Sequence, residues 1–198
     1  MSQQDGKKPV DRMKREAGYH AARMVADGMV IGLGTGSTTF YAMEHLSAMI
    51  EDGLCIQGVP TSFQTEMLAR QLRIPLTTLD EYPELDLAID GADQVDPAFR
   101  LIKGRGAAMT REKCVAAAAG GLVIVVDESK CVTALSGTVP LEVIPFAVHP
   151  VTLGIRAIGG IPELRSGGRK DGPVITDNGN CILDCSFYEI PDPEQLEG

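Results

Sequence analysis

Apolar residues along the first part of the chain follow two alternating patterns. Apolar positions that recur three or four residues apart, such as Met13, Ala17 and Ala21, predict helices, and short continuous apolar runs predict buried strands. The predicted helices cover residues 10–27, 38–50, 62–71 and 107–119. The predicted strands cover residues 29–33, 54–59, 85–90 and 122–127. Because strand and helix alternate, this part predicts an α/β fold, a parallel sheet with helices on both faces.

The pattern changes after Lys130. Shorter apolar runs are separated there by glycine-rich turns, which predicts a smaller α+β unit. The predicted strands of this unit cover residues 141–146, 162–165, 174–177 and 181–185, and one predicted helix covers 150–158. Residues 177–180, with the sequence DNGN, predict a hairpin turn between the last two strands. We therefore predict two domains, residues 1–132 and residues 133–198.

The balance of charges restricts the partners. Lysine and arginine number 18 and aspartate and glutamate 27, which gives a net charge of -9. Nucleic-acid binding needs a basic face, which this acidic composition disfavours, whereas a small phosphorylated ligand needs only a local positive pocket. The composition thus favours a small-molecule partner over nucleic acid.

The chain shows no pattern of a membrane or secreted protein. Its longest apolar runs are far shorter than a bilayer span, and no apolar run follows the charged N-terminal segment as it would in a secretory signal. The five cysteines are odd in number and scattered, which is typical of reduced thiols rather than of disulfides or a zinc site. We predict a cytoplasmic protein with no membrane partner.

A glycine-rich loop follows the first predicted strand. Its sequence, GLGTGST at residues 32–38, allows backbone N–H groups to turn toward an anion at the start of the next helix. The hydroxyls of Thr35, Ser37 and Thr38 would add donors. The loop lacks the lysine of a Walker A motif and the GxGxxG spacing of a dinucleotide site. It favours a cradle for phosphate or hydroxyl groups, and the alternative is a tight turn in which Ser37 caps the helix.

Two aspartates follow the strand predicted at 85–90. In open α/β sheets ligands bind at the carboxyl ends of strands, which is where Asp90 and Asp93 stand. Their carboxylates could accept hydrogen bonds from sugar hydroxyls, move protons, or bind a metal beside a phosphate. A solvated turn is the alternative for this DGAD motif, and it is our interpretation of Asp96 nearby.

A second glycine loop leads into the helix predicted at 107–119. Lys103 begins this loop, and Glu112 lies near the start of the helix, where a carboxylate also favours the helix dipole. A surface glutamate that stabilises the helix, and a solvated lysine, are therefore the alternatives to catalytic roles. Lys130 follows the next apolar strand and again occupies a carboxyl-end position.

Together these motifs carry a resemblance to a known family. Their order is GTGST after a strand, DGAD after a strand, KGxG before a helix with a glutamate, and SK after a strand. In this order, from about residue 14 to residue 192, the chain resembles the ribose-5-phosphate isomerases of the A type. The segments 141–145 and 176–180 belong to the same resemblance.

The resemblance implies a fold and an activity. The fold would be Rossmann-like with a smaller α+β domain, and the enzyme would interconvert D-ribose 5-phosphate and D-ribulose 5-phosphate through an enediolate, as a homodimer or homotetramer without metal or organic cofactor. Glu112 would be the base that moves the proton between C2 and C1, Asp90 would shuttle protons to the sugar oxygens, and Lys103 would stabilise the enediolate. The implied substrate-binding residues are Lys14, Thr35, Gly36, Ser37, Thr38, Gly91, Ala92, Asp93, Gly104, Arg105, Gly106 and Lys130.

The chain departs from the family pattern at two places. Many members have glycine where Arg105 stands, so a positive φ there would be strained; otherwise the side chain points outward or contacts phosphate. Members usually continue past the position of Gly198 with a short helix and a strand that returns to the main sheet, so either the sheet closes differently here or the sequence is truncated.

Two other classes of function stay open at this point. One is a non-catalytic sugar-phosphate sensor built on a related sheet, which the acidic charge and the lack of an added DNA-binding module disfavour. The other is a dinucleotide-dependent enzyme, which the glycine spacing disfavours.

Overall fold

The computed structural model describes residues 7–168, 171–188, 190, 193 and 196 of the chain. The helices are α1 Lys7–Ala22, α2 Thr39–Glu51, α3 Phe63–Gln71, α4 Met109–Ala118 and α5 Val148–Ala157. The strands are β1 Val30–Leu33, β2 Gln57–Pro60, β3 Leu87–Asp90, β4 Gln94–Val95, β5 Leu101–Ile102, β6 Leu122–Ile124, β7 Gly137–Val143, β8 Ile161–Leu164 and β9 Cys181–Phe187. Within the described residues, no helix is long and apolar enough to cross a membrane.

These elements fall into two units. The first contains the residues up to Ala92 together with Thr110–Lys130, and the second contains Asp93–Met109 together with the residues from Cys131 onward. The domain division at residue 132 stays a prediction.

A four-stranded parallel sheet forms the centre of the first unit. Its order is β2-β1-β3-β6 with all neighbouring strands parallel, and α2, α3 and α4 lie in the crossovers between successive strands of this sheet. Ile31 and Leu33 of β1 pack into one apolar core with residues of α1, α2 and α3, such as Leu46. On the opposite face Ala88 of β3 packs with Val115 of α4. Helices thus cover both faces, and the predicted Rossmann-like α/β fold is confirmed.

An antiparallel sheet forms the centre of the second unit. Its order is β7-β9-β8, and α5 packs against it through Ile155, which shares a core with Leu183 of β9. The predicted turn at 177–180 is present, since the Gly179 N–H donates to the Thr176 carbonyl over 2.9 Å, with φ +79° at Gly179. The smaller α+β part of the predicted fold is therefore confirmed as well.

Some element bounds differ from the prediction. β7 begins at Gly137 rather than at 141, because Pro140 interrupts the apolar pattern and yet is tolerated on an edge strand. Residues 174–177 form no named strand and join β9 only through a bridge between Ile175 and Cys181. The hairpin of β4 and β5 is an addition, with strands too short to give a periodic signal.

Candidate active site

The first glycine loop lies directly against Asp90 in the first unit. The Gly34 N–H donates to the Ile89 carbonyl over 2.9 Å. A Cβ atom at Gly34 would overlap the Asp90 carboxylate and would lie 2.6 Å from the Ile89 carbonyl oxygen. Glycine is required here because the backbone of the loop approaches a carboxylate, and the loop and Asp90 therefore lie in direct contact.

This close approach predicts a large effect of Gly34→Ala. The added methyl group would collide with a buried carboxylate and with backbone, neither of which can move away cheaply, so we expect a loss of about 1–3 kcal/mol in the free energy of unfolding. Urea denaturation measures this loss. Gly154→Ala is the matched control, because its Cβ would meet nothing within 4 Å, and it should leave stability unchanged or slightly raised. Equal stabilities of the two variants would contradict the predicted collision.

Ser37 does not cap α2. The N-cap residue is Thr38, and it makes no side-chain capping hydrogen bond. Ser37 is exposed and its Oγ accepts a hydrogen bond of 2.9 Å from Nζ of Lys14 on α1. The alternative of a tight turn with a capping serine is therefore wrong, and the loop instead carries a hydroxyl next to an ammonium group.

A pocket of about 370 Å³ opens at this loop. Its walls come from α1, α2, α3 and residues 34–37, with Lys14 and Asp11 as its charged groups and Phe40 and Leu68 among its apolar ones. Backbone N–H groups at the start of α2, a hydroxyl and an ammonium group are the donors that bind phosphate. The structure thus brings Lys14 together with three of the predicted loop residues, Thr35, Gly36 and Ser37, whereas Thr38 is buried and lies outside the pocket lining.

A cluster of four hydrogen-bonded hydroxyl groups anchors the first glycine loop. Thr35 Oγ1 lies 2.9 Å from Thr61 Oγ1, 2.7 Å from Ser62 Oγ and 3.0 Å from Thr65 Oγ1. The last three side chains belong to buried residues. Sequence analysis missed this cluster, although Thr61 and Ser62 follow β2 directly and so stand at the same edge of the sheet as the loop. The Thr35 hydroxyl is engaged in this cluster and helps to hold the loop in one conformation.

Two buried carboxyl groups belong to the first unit. Asp90 ends the central strand β3 and is 3% exposed, and its Oδ1 accepts a hydrogen bond of 2.7 Å from the Gly91 N–H. Glu112 lies in the first turn of α4 and is 6% exposed. The alternatives of a solvated turn for Asp90 and of a surface glutamate for Glu112 are therefore wrong. Buried carboxyls are costly to keep charged, which makes them suitable for proton transfer.

The charges of two predicted substrate lysines act on a third buried carboxylate of the first unit. Asp127 follows β6 and accepts hydrogen bonds from the backbone N–H of Ser129, at 3.0 Å, and from its hydroxyl. Burial by itself would raise the pKa of Asp127, but Ser129 and the charges of Lys14 and Lys130 together hold that pKa below its usual value. The first unit thus places an ionised carboxylate within the influence of both lysines.

The lowered pKa gives a pH-dependent prediction for Asp127→Asn. An aspartate with a lowered folded pKa stabilises the fold above its usual pKa of about 3.9, and this contribution is lost as the pH falls through the lower folded value. We expect the variant to lose about 1–2 kcal/mol of unfolding free energy near neutral pH, from weakened hydrogen bonds to a charged group. Urea denaturation near neutral pH and below the folded pKa of Asp127 should show this difference in stability shrinking in acid, whereas the exposed variant Asp80→Asn should leave stability almost unchanged at both. A difference that is the same at both pH values would contradict this role.

The second unit contains Asp93 and the second glycine loop, residues 103–106. The Asp93 N–H donates to the Ile102 carbonyl over 2.8 Å, and Asp93 Oδ2 accepts a hydrogen bond of 3.0 Å from the Arg105 N–H. Gly104 is buried and has φ +106°, so glycine is required there. Lys103 is half-buried, while Arg105 and Gly106 are exposed.

Arg105 carries no backbone strain. The described non-glycine residues with positive φ are Arg73, Phe99 and Ala107, so the expectation of strain at Arg105 is excluded. Its side chain is exposed and its main chain makes the ordered contacts. The loop therefore accepts arginine in place of glycine at this position.

Asp96 is not a solvated turn residue. It is 3% exposed, and its carboxylate accepts hydrogen bonds from the N–H groups of Ala98 and Arg100 and from Nε of Arg100, at 2.7–3.0 Å. The side chain of Arg100 is the main reason that the pKa of Asp96 lies below its usual range. Asp96 thus organises the turn between β4 and β5.

The first unit alone defines a class of protein. At the carboxyl ends of the strands of a Rossmann-like sheet lies a glycine loop with the donors that bind phosphate. An ammonium group and buried carboxyl groups lie beside it. These are the features of an α/β enzyme that binds a small phosphorylated substrate and moves protons on it.

Comparisons with known proteins narrow this class to one family. The family model for ribose 5-phosphate isomerase A (phosphoriboisomerase A) matches residues 57–198. Ribose-5-phosphate isomerase A of Methanoregula boonei is 65% identical over 184 residues, which are 93% of this chain and 78% of that protein. The enzyme of the same name from Thermosynechococcus vestitus is 55% identical over 192 residues, 95% of this chain and 81% of that protein. The chain belongs to the ribose 5-phosphate isomerase A family.

Solved structures agree with this assignment. A D-ribose-5-phosphate isomerase in complex with phospho-erythronic acid superposes with a TM-score of 0.91 at 46% identity, covering 95% of this chain and 84% of that one. Ribose 5-phosphate isomerase A from Methanocaldococcus jannaschii gives a TM-score of 0.89, also at 46% identity, and covers 94% and 84%. The fold and the family predicted from the sequence are both confirmed.

Proposed function

We propose that the chain interconverts D-ribose 5-phosphate and D-ribulose 5-phosphate, the reaction of its family in the pentose phosphate pathway. The observation that carries the proposal is the burial of Glu112, the residue that the resemblance assigns as the base, in a chain of this family. An aldose and a ketose differ by the positions of one carbon-bound hydrogen, one hydroxyl proton and the carbonyl group, so a base that reaches both C1 and C2 suffices for the carbon chemistry.

The proposed reaction divides the work among three side chains. The Glu112 carboxylate removes the C2 proton of the open-chain aldose, which leaves an enediolate, and the resulting carboxylic acid returns the proton to C1. Asp90 moves the proton between the two sugar oxygens and assists ring opening. Lys103 donates hydrogen bonds to the oxyanion of the enediolate, where charge develops as the C2–H bond breaks. No step transfers a hydride to an acceptor, and Lys103 supplies the positive charge for the enediolate, so we propose a reaction without organic cofactor or metal.

The pocket beside α2 is the proposed phosphate site. Lys14 and Ser37 supply an ammonium group and a hydroxyl that already hydrogen-bond to each other over 2.9 Å, and the N–H groups of Gly36 and Ser37 belong to the same loop. A related isomerase that is 46% identical was solved with a phosphorylated ligand, phospho-erythronic acid, which supports phosphate binding in this family. Lys130, whose charge acts on Asp127 together with that of Lys14, is the second proposed cation.

The remaining residues of the DGAD and KGRG motifs are proposed to contact the sugar. Asp93 and Gly104 shape the loop around Lys103, while Gly91, Ala92 and the exposed pair Arg105 and Gly106 are proposed substrate contacts.

We further propose a cytoplasmic homodimer or homotetramer with no nucleic-acid or membrane partner. The net charge of -9 supports the absence of nucleic-acid and membrane partners, because a strongly acidic protein repels nucleic acid and anionic lipid, and the oligomeric state rests on the family resemblance alone.

An isomerase assay without cofactor tests the proposal. Protein dialysed against a chelator is incubated with ribose 5-phosphate, and ribulose 5-phosphate is measured directly. We expect conversion to the same equilibrium from either sugar. Binding of the sugar phosphate without conversion would favour the non-catalytic sensor. Conversion that depends on added dinucleotide would favour the dinucleotide-dependent enzyme.

A further inference from the structure

An arginine outside the predicted site holds the loop that carries Lys103. Arg165 follows β8 in the second unit, and its side chain is 17% exposed. Its Nη1 donates to two main-chain carbonyls of the loop, that of Gly104 over 3.2 Å and that of Arg105 over 3.1 Å. These two residues follow Lys103 directly in the chain, so one guanidinium holds the second and third peptide groups after the α-carbon of Lys103.

The guanidinium is itself held in place by β9. Nε of Arg165 donates to Oδ2 of Asp184 over 2.8 Å, and Nη2 donates to the other carboxylate oxygen. The Arg165 N–H also donates to the Ile182 carbonyl over 2.9 Å. A bidentate pair of this kind leaves the guanidinium one orientation, with Nη1 directed at the loop.

The opposite side of the loop is bound as well. Asp93 Oδ2 accepts the Arg105 N–H over 3.0 Å, so Arg105 is held through both its N–H and its carbonyl. Gly104, between Lys103 and Arg105, is buried and has φ +106°, a backbone conformation that glycine allows but does not favour over others. External hydrogen bonds are what select one conformation of such a segment.

We propose that Arg165 is a positioning residue for Lys103. It fixes the Gly104 and Arg105 peptide groups, and thereby the direction in which the Lys103 side chain leaves the main chain. This role rests on the proposed function, in which Lys103 stabilises the enediolate, and a misplacement of about 1 Å at such a donor can lower the rate 100-fold. Lysine cannot replace Arg165, because one ammonium group cannot span a carboxylate and two carbonyls in this geometry.

The test compares Arg165→Met and Arg165→Lys with the control Arg156→Met, an exposed arginine of α5 in the same unit. For ribose 5-phosphate we expect both Arg165 variants to lower kcat by about 10- to 100-fold with little change in KM, since positioning acts on the transition state. The control should keep the wild-type kcat. Circular dichroism during urea denaturation verifies that each variant is folded.

A double-mutant cycle with Lys103→Met separates positioning from general damage. If Arg165 acts through Lys103, its replacement should have almost no further effect on kcat once Lys103 is methionine. Full additivity in kcat, or an unchanged kcat in Arg165→Met, would overturn the proposal. If Arg165→Met does not fold, Arg165→Lys decides in the same cycle: a wild-type kcat or additivity overturns the role, and a reduced kcat that disappears in the Lys103→Met background supports it. An inactive wild-type protein would overturn the proposed function itself, and this role with it.

Discussion

Replacement of Glu112 by glutamine should lower kcat for ribose 5-phosphate by about 10⁴-fold, the upper end of what one positioned general base contributes. Glutamine has nearly the shape of glutamate and can keep hydrogen bonds at a buried position, but it cannot accept the C2 proton. KM should change little, because the sugar phosphate is proposed to be held by other groups. Direct measurement of ribulose 5-phosphate formation, together with a binding isotherm for ribose 5-phosphate, verifies both parts.

The matched control is Glu66→Gln. Glu66 also lies in the first turn of a helix of the first unit, α3, where it pairs with Arg70 over 2.7 Å at the surface. Its replacement removes the same charge from the same kind of helix position, and a surface ion pair contributes little to stability. Activity of Glu112→Gln within a few-fold of this control would eliminate Glu112 as the base.

Lys103→Met should lower kcat by about 10²- to 10³-fold, the usual cost of removing one donor to a developing oxyanion. Methionine keeps the apolar stem of the side chain and removes only its ammonium group. The loss should fall on kcat, because the enediolate carries a charge that the substrate lacks. Steady-state kinetics in both directions measure it.

Arg156→Met serves as control here too, since it removes one exposed cation from the same unit. A Lys103→Met enzyme with a raised KM and an intact kcat would show that Lys103 binds the ground state only. The lysine would then be a substrate contact rather than a transition-state donor.

The centre of the main sheet was predictable because its two inner strands, β1 and β3, are almost entirely buried. Residues 30–33 are continuously apolar or glycine and are buried without exception, which is the pattern that distinguishes a parallel strand from an amphipathic one. The hairpin of β4 and β5 was not predictable in the same way. Its strands have two residues each, and what holds them is the buried turn around Asp96, a contact that periodicity cannot show.

The parts of the candidate site that lie at the ends of predicted strands were predictable from the sequence. The glycine loop and the DGAD motif each follow a strand end, so the topology alone brings Gly34 and Asp90 together. The hydroxyl cluster and Arg165 depend instead on contacts between residues far apart in sequence. Arg165 lies some 60 positions from the loop that it holds. In the sequence alone it is an ordinary charged residue beside a glycine turn.

Glu112 is proposed to be the base with which this chain moves a proton between C2 and C1 of ribose 5-phosphate. Proton NMR in deuterium oxide, on chelator-treated protein, tests it most directly, because it follows the sugar carbons themselves. We predict conversion to an equilibrium of ribose 5-phosphate and ribulose 5-phosphate with solvent deuterium accumulating on the reacting carbons, and neither process above background with Glu112→Gln. A wild-type protein that binds the sugar without converting it, or a glutamine variant that converts it at a rate close to wild type, would contradict the claim.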